Sequence, residues 1–275
     1  MPELPEVETV ARGVHDRVRG DRIVEVWLGR HREPFKSPAG RMVQDLEGKW
    51  FRAVVRHGKH IVCELSNSRE GKPEAQWIVH LGMTGRLVVT TPDAPIAPHT
   101  HARLTMASGR EIRFVDPRRF GRLEFRDLNR DQSFAAPGEE PLDVDGETFA
   151  ALFRGRRLAV KAALLNQSLL AGVGNIYADE SLFRAGLRPR RLAGRLTRAE
   201  LDRLRKALRD VLLQAIASGG SSVSDYVDAN GVRGFFQLEH RVYQRGGQPC
   251  LLCGTSIRRI VVAGRSTHYC PQCQR

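Results

Sequence analysis

The sequence predicts an α+β protein of several domains, laid out in the order strands, helices, hairpin. Three observations predict it. Between Arg22 and about Phe125 the chain runs as short β-type segments parted by Gly, Pro and polar clusters. After APGEEPLDVDGE at 136–147, a stretch of Pro, Gly and acids, the apolar periodicity becomes helical. Near the end, four cysteines fall in two close pairs, C-x2-C-x16-C-x2-C.

Each element follows from local pattern. Residues 5–19 place Val7, Val10, Ala11, Val14 and Val18 at helical spacing, with Pro5 suited to the first turn and Gly20 just past the end. RIVEVWL, FRAVVRH, KHIVCEL, QWIVHL, GRLVVT, ARLTM and EIRFV then read as strands, and LTMASGREIRF as a hairpin around Ser-Gly. Many short strands at this spacing suggest a β-sandwich or barrel. Helices are expected over RRLAVKAALLNQSLLAG, GNIYADESLFRAG and LTRAELDRLRKALRDVLLQAIASGG. The last sets Leu201, Leu204, Leu208, Val211 and Leu212 on one face and stops at Ser-Gly-Gly. The expected division is an N-terminal β-sandwich domain with its leading helix at 1–135, a hinge at 136–150, a helical domain at 151–234 and the cysteine hairpin at 235–275.

A chain of 275 residues, 41% hydrophobic and 27% charged, can bury a core without disulfides. No run approaches the ~18–20 apolar residues of a membrane span, so no membrane partner is expected. The first twenty residues carry acids and no apolar stretch of the secretory kind, so the expected location is cytoplasmic. The net charge of +13 is uneven: residues 1–180 hold 27 Lys and Arg against 25 Asp and Glu, and residues 181–275 hold 17 against 6. A basic surplus in the last third suits a polyanion bound through counterion release. Nucleic acid is the expected partner class, with a merely solvated basic surface as the alternative.

Cys250, Cys253, Cys270 and Cys273 offer four thiolates for one tetrahedral Zn2+. Two disulfides are disfavoured in a reducing cytosol, and a redox pair lacks its usual βαβ setting. With all four ligands thiols, no position stays open for water, so the metal is expected to be structural. The intervening TSIRRIVVAGRSTHY reads as a hairpin bearing Arg258, Arg259 and Arg265, a device suited to phosphate. Cys63, alone in an apolar strand, reads as a small buried hydrophobe.

PELPEVET at the start, HLGMTGR at 80–86, DPRRFGR at 116–122, LLNQSLLAGVGNIYADESLFRAGLRP at 164–189 and VVAGRSTHYCPQCQ at 261–274 resemble the formamidopyrimidine-DNA glycosylase/endonuclease VIII family. The closer likeness is to its formamidopyrimidine branch, bacterial enzymes that remove 8-oxoguanine and ring-opened purines from DNA. The matches run the length of the chain in family order. The resemblance implies an N-terminal β-sandwich, a helix–two-turn–helix domain, a C-terminal zinc finger, and damaged double-stranded DNA in a groove between two lobes. A monomer is expected. Two departures are minor: Asn166 stands where the family commonly has Asp, and Phe236 follows another Phe.

The resemblance also implies the chemistry. With Met1 removed, Pro2 carries a secondary amine that attacks C1′ as the Schiff-base nucleophile. An α-amino group starts near pKa ~8, against ~10.4 for Lys, so more of it is unprotonated at neutral pH. The iminium formed on a secondary amine has no N–H to lose and stays cationic, which acidifies C2′–H and permits β- and then δ-elimination. Glu3 is the expected proton donor, Lys59 the proton donor for β-elimination, and Arg265 a phosphate contact and the proton donor for δ-elimination. Taken alone, Pro2-Glu3 reads as a plain helix start, and the other motifs turn that reading toward catalysis.

An extruded base leaves a hole, and the resemblance assigns its filling to Met83, Arg118 and Phe120, all in Gly-flanked turns. His80, Lys161, Asn175 and Tyr177 are the further DNA contacts it implies. Asn175 follows AGVGN at a helix start, where ordinary capping is the alternative. The polar, glycine-punctuated segment 218–237 is expected to be a lid. Backbone amides from around Ser221 to Tyr226 would grasp the lesion, with Glu6 facing the same pocket. Two other readings stay open: an endonuclease VIII-like enzyme for oxidised pyrimidines, and a non-catalytic protein that marks abasic sites.

Overall fold

The computed structural model describes residues 1–222 and 226–275. The chain forms two compact units, Met1–Ala135 with Gly219–Gly234, and Ala136–Ser218 with Phe235–Arg275.

In the first unit, α1 (Leu4–Val18) leads into two antiparallel four-stranded sheets. One has the order β1 (Ile23–Leu28), β6 (Thr100–Met106), β7 (Glu111–Val115), β5 (Arg86–Thr90). The other has the order β2 (Trp50–His57), β3 (His60–Ser66), β4 (Ala75–His80), β8 (Arg122–Asp127). Both sheets feed one core: Ile23, Leu104 and Phe114 from the first meet Phe51, Trp77 and Leu123 from the second, with the valines of α1 in the same cluster. The expected sandwich is therefore present. Hairpin β6–β7 turns at Ser108-Gly109, where Gly109 has φ +81°. Two elements of this unit, α2 (Ala39–Leu46) and strand β8, carry no clear pattern in the sequence.

The second unit holds α3 (Gly146–Phe153), α4 (Val160–Leu165), α5 (Asn175–Arg184), α6 (Arg198–Ala217) and the hairpin β9 (Arg258–Val262) with β10 (Arg265–Tyr269). α5 packs on α4, α6 and β10. Asp145 caps α3 by accepting from the amides of Glu147 and Thr148, so the end of the expected hinge is already helix. The helix expected over RRLAVKAALLNQSLLAG is only the six residues of α4, because Asn166 turns the chain and accepts from Ser168 N. Thr197 and Glu200 form a reciprocal capping box at α6, and Arg191 grips the Glu200 carboxylate at 2.6 and 3.0 Å, holding its pKa down to about 2.

One boundary differs from the expectation. Residues 219–234, expected to belong with the helices, pack into the first unit. Tyr226 and Ala229 join its core, Ala229 O accepts from Val89 N at 3.0 Å, and Arg17 bridges Val89 O and Asn230 Oδ1. Apolar burial and strand-edge hydrogen bonds outweigh sequence adjacency to α6. Residues 235–275 likewise share one unit with the helices.

Candidate nucleic-acid site and metal centre

The N-terminal arm is built by reciprocal capping. Glu3 is the N-cap of α1 and Glu6 its third residue; the Glu3 carboxylate accepts from the Glu6 backbone, and Glu6 Oε2 accepts from Glu3 N at 2.8 Å. Pro5 sits in the first turn, where its missing N–H costs nothing. Pro2 and Glu3 are both buried, and Met1 is exposed. While Met1 is attached the Pro2 nitrogen is an amide and not a nucleophile.

Glu6 is only 2% exposed and its other oxygen, Oε1, accepts from Ser221 N at 2.7 Å. Tyr226 Oη donates to Glu6 O at 3.3 Å. Ser221 and Tyr226 are thereby tied to Glu6 as a buried brace on the arm. Burial, with the Glu6 charge behind it, pushes the Tyr226 phenol up, so it stays protonated. The rest of the expected lesion-grasping amides, at 223–225, lie outside the described residues.

Two turns carry the expected void-filling residues. Met83 is 40% and Phe120 48% exposed, and the Arg118 guanidinium lies 4.9 Å from the Phe120 ring. What fixes these turns is a residue the sequence reading passed over, Asp116. Fully buried, it accepts from Thr84 Oγ1 at 2.6 Å, Gly121 N at 2.7 Å and Arg118 N at 3.3 Å. Gly82 completes the contact: its φ is +65°, and a Cβ there would stand 2.5 Å from the Phe120–Gly121 backbone. Rigid backbone thus presents two large apolar tips to solvent, which a core role would not.

Lys59 occupies the tight turn Gly58-Lys59 between β2 and β3, half-buried. His80, at the end of β4, accepts from Gly82 N through Nδ1 at 3.2 Å. Burial first, then the charges of His60, Lys59 and Arg122, pushes its pKa down to about 4. A neutral ring accepting at Nδ1 carries its proton on Nε2, a donor suited to phosphate oxygen.

In the second unit the structure corrects two expected DNA contacts. Lys161 is fully buried and spends its ammonium on Asp179 Oδ1 at 2.7 Å, Thr267 Oγ1 at 2.8 Å and Ser266 O at 2.9 Å. Tyr177 is also fully buried, its ring 5.7 Å from Phe236. Neither side chain has a surface to offer a phosphate; both lie on the inner faces of α4 and α5. Asn175, the first residue of α5, donates from Nδ2 to Ser266 O at 2.9 Å. Lys161 and Asn175 thereby converge on the carbonyl beside Arg265, which is exposed at the start of β10. Asp179 also accepts from His268 N at 2.8 Å, and Glu180 accepts the amides of Arg241, Val242 and Tyr243 at 2.8–2.9 Å. These acids sit mid-helix with no sequence signal beyond their type.

The cysteine ligand atoms all lie within 4.8 Å of one another. The Cys250–Cys273 and Cys253–Cys270 sulfurs are 3.9 and 3.4 Å apart, against an edge of about 3.8 Å for four thiolates at ~2.3 Å from zinc. Cys273 N points to the Cys270 sulfur at 3.4 Å, as a thiolate favours. The donor set fits one structural zinc and closes its coordination.

A sandwich that offers apolar wedges on locked turns, and a thiolate-pinned arginine hairpin, are the parts of a zinc-containing enzyme that handles damaged DNA. Family models match in series: the formamidopyrimidine-DNA glycosylase N-terminal domain over residues 1–123, its H2TH domain over 137–227, and the zinc finger found in FPG and IleRS over 247–275. Formamidopyrimidine-DNA glycosylases of Thioalkalivibrio sulfidiphilus and Solibacter usitatus are 43% and 44% identical, with all of each chain covered. A Lactococcus lactis FPG mutant, solved with Fapy-dG-containing DNA, aligns with a TM-score of 0.89 at 32% identity over both full chains. MutM in complex with carbocyclic 8-oxo-G-containing DNA aligns at 0.88 and 32%, again over both full chains. The chain belongs to the formamidopyrimidine-DNA glycosylase family.

Proposed function

We propose that this chain excises oxidised purines, 8-oxoguanine and formamidopyrimidines, from duplex DNA and then cleaves the strand as an AP lyase. The observation that carries the reading is the arm: Pro2 directly precedes a buried Glu3 whose position is set by hydrogen bonds at the start of α1. Removal of Met1 turns the Pro2 nitrogen into a secondary amine beside that carboxylate. The amine bonds to C1′, the C1′–N bond to the base breaks, and Glu3 delivers a proton to the ring oxygen as the sugar opens. The cationic iminium acidifies C2′–H; that proton passes to solvent as the C3′–O bond breaks and the 3′ phosphate leaves, and loss of the C4′ proton to solvent with cleavage of the C5′–O bond releases the 5′ phosphate. Lys59 and Arg265 serve as proton donors to these two eliminations. Met83, Arg118 and Phe120 fill the vacated stack, and His80 offers its Nε2–H to the backbone.

Asn175 belongs to this reading through Arg265, whose neighbouring carbonyl it holds. Lys161 acts on the same carbonyl from within. Zinc supplies structure to the hairpin and no chemistry.

Borohydride reduction with lesion-bearing duplex tests the reading. The mature chain is expected to form a covalent adduct at its terminal nitrogen, and Pro2→Gly to weaken it severely. A mobility shift without adduct would leave a DNA-binding protein and remove the enzyme. Excision of 8-oxoguanine opposite C, set against thymine glycol, separates purine from pyrimidine preference.

A further inference from the structure

Beside the locked turns lies a cavity of about 480 Å³ lined by Thr84, Arg86, Pro117, Arg118, Val227 and Arg233. Its wall comes from three places in the first unit: the turn entering β5, the Asp116–Gly121 turn, and segment 219–234. Three of the six residues are arginines, and no carboxylate is among them.

Several arginines elsewhere in this unit are paired with acids. Arg56, Arg113 and Arg126 each meet a carboxylate at 2.8, 2.5 and 2.6 Å, and Arg12 meets Glu8 at 2.7 Å. Among the described residues, Arg86, Arg118 and Arg233 meet none; Arg118 only stacks on Phe120. Three guanidiniums around one concavity repel one another, and an anion there offsets the repulsion while taking forked hydrogen bonds. The concavity suits a tetrahedral phosphate group, with Thr84 as a further hydroxyl donor. Because Arg233 and Val227 come from segment 219–234, the pocket exists only while that segment is docked. Occupancy and docking then stabilise each other by linkage.

We propose that this pocket is a phosphate site, that Arg86 and Arg233 are its binding residues, and that filling it holds residues 226–234 in place against β5. The proposal rests on the DNA reading above for one of its two sources of phosphate, the backbone; the other is free phosphate. Two arms distinguish them. In the first, binding of tetrahydrofuran-containing duplex is measured against salt for the wild type, R86Q, R233Q and the double variant. If a backbone phosphate sits there, the double variant binds about tenfold more weakly at low salt. Its plot of log K against log salt also flattens by ~0.9. In the second, inorganic phosphate replaces chloride at matched ionic strength, and trypsin cleavage within 219–234 is followed. If free phosphate is the occupant, it protects the wild type and not R86Q, with the DNA slope unchanged. Unfolding melts of each variant exclude global loss of fold, and R86K, which keeps the charge without the fork, is expected to fall between. An unchanged slope together with no protection overturns the proposal. Borohydride trapping by the wild-type chain is read separately: trapping intact with both arms negative sinks the pocket alone, and trapping absent sinks the enzymatic reading.

Discussion

The start of α1 and the middle of α5 are both organised by buried carboxylates, yet to opposite ends. At α1, Glu3 and Glu6 satisfy backbone amides that no helix can satisfy itself, and in doing so hold out a chain end. At α5, Asp179 and Glu180 reach sideways, taking the Lys161 ammonium and four backbone amides from residues 241–268. The first pair fixes the path of a chain end; the second walls an ammonium in. An acid at a helix end is used by the free amides of its own first turn, whereas an acid on an inner helix face serves whatever packs there.

That contrast can be broken most forcefully at the metal. Structural zinc contributes on the order of 10–16 kcal/mol to small cysteine-ligated folds. Chelation is expected to abolish amide protection across 247–275, read by hydrogen exchange, and to leave α1 and its sheets unchanged. Should the hairpin keep its protection without metal, Lys161, Asn175 and Asp179 hold it unaided.

Next in size is the buried pair. Asp179→Ala leaves the Lys161 charge uncompensated in a fully buried place and is expected to cost about 3–5 kcal/mol in urea denaturation. Replacing both partners, Lys161→Met with Asp179→Leu, is expected to recover most of that loss. A double variant no better than the single would mean that Asp179 matters only for His268 N.

One histidine in each unit gives a matched pH test. Burial pushes both His80 and His240 down to about 4. Their folded values lie below the unfolded 6.5, so the folded state binds fewer protons between these limits. Stability is therefore full above pH 6.5, falls as pH drops toward 4, and levels off below, by about 2–3 kcal/mol for each ring. His240→Phe is expected to remove its share of the slope in denaturation curves taken across that range. His80→Gln should remove a second share, and His60, which burial also lowers, accounts for a further part.

The smallest effect is expected at the arm. Glu6→Ala leaves the amides of Glu3 and Ser221 without their carboxylate acceptor, at about 2 kcal/mol. Its signature is local: faster hydrogen exchange at Ser221 and the neighbouring described residues, with the second unit unaffected. Equal loosening of 235–275 would show that segment 219–234 is not governed from α1.

Much of this was legible beforehand, for physical reasons that differ by element. β-Branched runs announce strands, RLVVT by alternate burial and EIRFV by burial throughout, and α6 declares itself by a leucine stripe. Strand β8, RLEFRD, was hidden because it lies at a sheet edge beside β4 and buries only Leu123 fully. Helix α2 was hidden because Met42 and Leu46 are its only buried side chains. In the candidate site, Met83 and Phe120 could be placed on exposed turns from their glycine neighbours, whereas Asp116 gave no sign that it ties those turns together.

By itself the sequence determined the zinc ligands, the capped helix starts and the strand periodicity, because each depends on residues close together in the chain. Tertiary structure alone decided that Lys161 and Tyr177 face inward, that segment 219–234 joins the sandwich, and that three arginines surround one cavity. Those outcomes depend on which distant surfaces bury each other, and a side chain of given type carries no record of its future neighbours.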